Sequence, residues 1–152
     1  RFSFYKRVFL KCEKLKINIM FCTFESFEKK CLDYDYLEYI SKLVNLTKTI
    51  KVILMHSGGA NILRYYERFR FINRVFLDLS YTIQQYVNTS LFNDIIFLIN
   101  KFDKKLIIGS DYPTNKIETM SKIYSKISKK IKKKKLKNFY RNNLKLLIDE
   151  TH

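Results

Sequence analysis

Two short stretches carry side chains able to do chemistry. His56 closes the apolar run IKVILMH and is followed at once by Ser57-Gly58-Gly59. Asp111 sits in LIIGSDYPT, residues 106–114, after a second apolar run. An imidazole titrates near neutrality and can serve as general acid, general base or metal ligand. A carboxylate can ligate a cation, or accept the proton from a water whose pKa that cation has lowered. Each residue also has a structural alternative: His56 as a packed, hydrogen-bonded residue, and Asp111 as the cap of the helix that follows it. The placement of turn residues favours the chemical reading for His56. All three glycines, Gly58, Gly59 and Gly109, and the single proline, Pro113, fall in these two stretches of a 152-residue chain. A scaffold without a site would scatter them over many turns, so backbone shape is being controlled around these two residues, and Gly58 and Gly59 would let backbone approach a ligand closely.

The elements that must position them follow from periodicity. Apolar residues at intervals of three and four predict helices through Leu15, over 36–44 with Asp33 as cap, over 60–71, 91–102 and 117–127, and over 136–148. Short apolar runs rich in strand formers predict buried strands at 17–24, 50–56, 74–79 and 105–109. Strands alternating with helices mean an α/β chain with a parallel sheet, whose ligands sit at the carboxyl ends of the strands. Those ends read Cys22-Thr23-Phe24-Glu25, His56-Ser57-Gly58-Gly59, Asp78-Leu79-Ser80-Tyr81 and Ser110-Asp111-Tyr112-Pro113.

Composition bounds the partners. With 47% hydrophobic and 16% aromatic residues and no Gly-, Pro- or Ser-rich linker, residues 1–152 read as one ordered domain. The formal charge of +16 attracts polyanions, but Lys, Ile, Asn, Phe and Tyr, which A/T-rich codons encode, dominate the chain. The densest basic run, KISKKIKKKKLKN at 126–138, reads as one helix with an apolar stripe and a solvated lysine face; it lacks interleaved aromatics for base stacking. The expectation is therefore a small-molecule substrate, no specific nucleic acid and no membrane, with a basic binding module for nucleic acid or an anionic surface as the competing class. Homo-oligomerisation is left open. Cys12, Cys22 and Cys31 match no zinc-ribbon or C-x-x-C spacing, which suits a reducing, cytoplasmic setting.

Taken in order, KVILMHSGG, RVFLDLS, KLIIGSDYP and FYRNNLKLLI resemble the sixth, seventh and eighth β-α units and closing helix of the amidohydrolase superfamily, specifically its amidohydrolase-related branch. The resemblance spans roughly residues 4 to 148. It implies the C-terminal half of a (β/α)8 TIM barrel, about four parallel strands alternating with helices. It further implies a hydrolase of C–N or C–O bonds, or a decarboxylase, using a divalent metal, zinc first. By the same resemblance Asp111 is a metal ligand and proton acceptor, and His56 a second ligand or the donor that polarises the substrate carbonyl. Cys22 stands where the family's fifth strand ends in a metal-binding His; it is either a zinc thiolate or a buried, inert thiol. Ser80 and Tyr112 are neighbours of the site. The family's H-x-H pair occurs nowhere in the chain, and a full barrel takes about 250 residues. With Arg1 in place of an initiating Met, the expectation is an incomplete chain, or else a degenerate, non-catalytic relative.

Overall fold

The computed structural model describes residues 2–24 and 35–149. The expected cap Asp33, together with Glu25, Cys31 and His152, lies outside them. The chain forms two compact units, Arg1–Phe76 and Leu77–His152. It is an α/β structure in which four short strands alternate with helices.

In the first unit α1 (Phe2–Leu15) leads into β1 (Ile19–Cys22), α2 (Tyr36–Asn45), β2 (Val52–Met55), a 3-10 turn (His56–Asn61) and α3 (Ile62–Phe69). Helix α1 forms because Phe2, Tyr5 and Phe9 recur on one face. Tyr5 and Phe9 meet the Phe21 ring edge-on at 5.3 and 5.7 Å. The helix stops at Lys16, which takes the left-handed conformation (φ 58°). Its N–H reaches the Glu13 carbonyl and that of Ile17 the Cys12 carbonyl, the paired bonds of a Schellman stop made without glycine. β1 and β2 run parallel, with Ile19 opposite Val52 and Cys22 opposite Met55. Helix α2 is capped by Asp35, whose carboxylate accepts the Glu38 N–H at 3.2 Å. Its Leu37, Ile40, Leu43 and Val44 are buried.

Strand β3 (Val75–Asp78) straddles the boundary between the units. In the second unit come α4 (Thr82–Tyr86), α5 (Leu91–Lys101), β4 (Leu106–Ile107), α6 (Ile117–Ser128), α7 (Lys133–Lys137) and α8 (Asn143–Asp149). β3 and β4 are parallel, Leu77 opposite Leu106 and Asp78 opposite Ile107. Ile95, Leu98, Leu106 and Ile127 are fully buried in this unit's core.

Several sequence expectations change. The basic run at 126–138 is not one helix: α6 ends at Ser128, a turn buries Ile131, and α7 begins at Lys133. The expected last helix at 136–148 starts earlier and carries a π turn at Asn138–Asn142. That wider turn accompanies the burial of Phe139, Asn143 and Leu147 along one side. The expected 105–109 strand is paired only over Leu106–Ile107.

Candidate functional site

At the end of β2 the backbone turns left-handed for four residues in succession: His56 (φ 63°), Ser57 (48°), Gly58 (75°) and Gly59 (60°). Such angles cost a non-glycine residue free energy and persist only where surrounding contacts impose them. Those contacts are visible. The Thr23 hydroxyl donates to the Met55 carbonyl at 2.7 Å and accepts the Gly58 N–H at 3.1 Å, tying the end of β1 to the turn after β2. A Cβ on Gly58 would lie 2.1 Å from the buried Tyr65 ring, and one on Gly59 would lie 3.0 Å from the Phe24 ring. The space left by the missing side chains is thus filled by the protein's own aromatic rings, not held open for a ligand as the sequence suggested. His56 is buried, its ring edge-on to Phe24 at 6.0 Å.

Cys22 is the last residue of β1 and its thiol is exposed, which corrects the reading of a buried, inert cysteine. Strand alternation explains this: Phe21 points to α1, while Met20, 60% exposed, and Cys22 alternate to the other side. Tyr36 donates its hydroxyl to the Cys22 carbonyl at 3.2 Å.

In the second unit β3 ends on Asp78, a carboxylate only 4% exposed. Its Oδ1 accepts the Ser80 N–H at 3.1 Å and its Oδ2 accepts the Ser80 hydroxyl. Tyr81 follows with φ 62°. Asp111, three residues beyond the paired part of β4 and its flanking Ile108, is half-buried and left-handed (φ 58°). Gly109 does not adopt that conformation, so the carboxylate residue itself, not the glycine, makes the turn. The short polar side chain of Asp tolerates it better than most. The alternative of Asp111 as a helix cap fails, because α6 starts at Ile117 with Lys116 at its N-cap position. Gln84, on α4, donates from Nε2 to the Ser110 carbonyl at 3.0 Å, bracing the residue before Asp111. Tyr112 is 73% exposed and its N–H donates to the Ser110 hydroxyl.

Cys22 and His56 stand at the ends of the paired strands β1 and β2, and Asp111 after β4 in the other unit. Asp78, Thr23 and Gln84 were not singled out from sequence. Asp78 had a usable signal, an acid set inside the end of the apolar run RVFLDL; α4 is five residues long and shows no periodicity that could have flagged Gln84. Among the described residues no three His, Cys, Asp or Glu side chains are grouped so as to hold a metal ion. Asp111, His56 and Cys22 therefore do not fit a complete zinc site by themselves.

The chain resembles a solved structure in three dimensions. That structure is an uncharacterized TIM-barrel protein from Bordetella bronchiseptica, 15% identical, with a TM-score of 0.77; the match covers 95% of this chain and 50% of that one. The chain has the fold of half a TIM barrel. Its four strands are half the barrel's eight, and it spans about half the length of that relative. No family profile and no curated protein matches the chain. As half a TIM barrel, its strand ends are the place where that fold builds active sites.

Proposed function

We propose that this half barrel contributes to a metal-dependent hydrolase of the amidohydrolase-related type, acting on a C–N or C–O bond of a small molecule or decarboxylating it. In this reading Asp111 accepts a proton from the attacking water, and His56 polarises the substrate carbonyl. The observation that supports it is where backbone strain collects. Of the five non-glycine residues with left-handed φ among those described, four, His56, Ser57, Tyr81 and Asp111, lie within four residues of the carboxyl end of β2, β3 or β4. Strain of this kind clusters where a side chain must be aimed.

The chemistry calls for a divalent cation, zinc first, whose donors the described residues do not assemble alone. That observation favours a second reading, a non-catalytic relative. Metal analysis of the purified natural gene product separates the two. The hydrolase reading expects a stoichiometric divalent ion that is lost in Asp111→Asn without loss of fold. A metal-free protein, or a metal content indifferent to Asp111→Asn, supports the non-catalytic relative instead.

A further inference from the structure

The positive charge of the chain is concentrated in one region. Residues 119–148 contain eleven Lys and Arg and no Asp or Glu, so they alone supply +11 of the +16; the other 122 residues hold 19 basic against 14 acidic groups. Codon bias acting on the whole chain does not explain a segment of thirty residues without a single acid.

The geometry of this segment is equally lopsided. From Lys133 to Asp149 the backbone is helical without a break, through α7, the π turn and α8. Phe139, Asn143 and Leu147, four apart, form its buried stripe. The opposite stripe runs through Lys134, Lys137, Arg141, Leu144, Lys145 and Ile148, all exposed. Leu144 is 47% and Ile148 57% exposed, one turn apart among cations. Long basic side chains beside exposed aliphatics suit a boundary between anionic headgroups and hydrocarbon: the aliphatics enter, and the lysine stems lie along the apolar layer with their ammonium groups in water.

We propose that this stripe, with the lysines of the preceding turn, docks on the surface of an anionic lipid bilayer. This departs from the sequence expectation of no membrane partner and takes up the competing class of an anionic-surface binding module. The binding is peripheral, since among the described residues no helix is long and apolar enough to cross a membrane. Charge complementarity identifies the anionic partner, and the exposed Leu144 and Ile148 favour lipid over nucleic acid. A single-stranded nucleic acid would want free aromatic faces. In this region Phe139 is buried, and the Tyr124 and Tyr140 rings pack on each other at 4.8 Å. The proposal is independent of the hydrolase reading.

The test is co-sedimentation of the full chain with phosphatidylcholine vesicles, with and without phosphatidylserine, at low and moderate salt. Binding is expected only with phosphatidylserine and should weaken as salt rises. Lys134→Gln/Lys137→Gln/Arg141→Gln should lower partitioning on the order of 100-fold. Leu144→Ser/Ile148→Ser should lower it on the order of 10-fold or more. Circular dichroism and urea midpoints confirm that both variants fold. Failure of the folded wild-type chain to bind phosphatidylserine vesicles at low salt overturns the proposal. So does unchanged vesicle binding by the Leu144/Ile148 variant together with full competition by a single-stranded oligonucleotide, which assigns the stripe to nucleic acid.

Discussion

The two ends of the strands use polar residues differently. At the amino ends, polar side chains reach across to backbone and hold the elements in register. Glu13, near the end of α1, accepts from the Thr49 N–H at 3.0 Å, the Thr49 hydroxyl at 2.7 Å and the Ile50 N–H at 3.3 Å. Asn18 accepts the Lys51 N–H at 2.8 Å, and Arg74 donates to the Val44 carbonyl at 2.9 Å. In the other unit the buried Asn143 amide donates to the Asp103 and Leu106 carbonyls at 2.5 and 2.6 Å. At the carboxyl ends the pattern reverses. Backbone is bent into costly conformations at His56, Ser57, Tyr81 and Asp111, and the polar side chains there, Thr23 and Gln84, brace those bends instead of joining helix to strand. In barrels of this type one face of the strands serves stability and the other chemistry.

The glycine turn after β2 is where substitution should cost most. Gly58→Ala sets a Cβ against the Tyr65 ring on a left-handed residue, and should cost about 3–4 kcal/mol in urea denaturation. A loss below about 1 kcal/mol would mean that Tyr65 yields easily and the turn is not packed as described. Asn143→Leu should cost about 2–3 kcal/mol, because the buried Leu106 carbonyl and the part-buried Asp103 carbonyl lose their donor; this samples the amino ends. Glu13→Gln should cost about 1 kcal/mol at neutral pH.

Glu13 also gives the amino ends a pH signature. Desolvation would raise its carboxyl, but the Thr49 hydroxyl and the backbone N–H groups of residues 48–50 outweigh it and hold the pKa down at about 2. A carboxyl depressed in the folded state stabilises fully above its unfolded value, near 4.5, and that contribution is lost as pH falls toward 2. Between those limits the wild-type urea midpoint should fall more steeply than that of Glu13→Gln. Parallel slopes would contradict the role given to Glu13.

Much of the scaffold was legible in the sequence because burial leaves a periodic mark. The four strands and most helices lie where apolar runs and three-four spacing put them, with ends shifted by a few residues. What periodicity could not show were features set by long-range contact. The stop of α1 at Lys16 uses no glycine, α4 is too short to repeat, and the lysine run breaks where Ile131 is drawn into the core. The candidate site was legible as positions but not as conformations. His56 and Asp111 were found from their place after apolar runs, whereas the left-handed backbone beneath them depends on Thr23 and on the rings of Tyr65 and Phe24 for one. For the other, Gln84 braces the preceding carbonyl. The meaning of the glycines was misread for the same reason: a glycine that admits a ligand and one that admits a neighbouring ring look alike in sequence.

The smallest expected change in stability is also the most direct test of the claim that the carboxyl ends are shaped for function. Asp111→Gly removes the carboxylate and eases the left-handed backbone, so its urea midpoint should match the wild type or correspond to a gain of up to about 1 kcal/mol. A loss of about 2 kcal/mol or more would show that Asp111 is held for the fold, and would contradict a functional role for the strand ends.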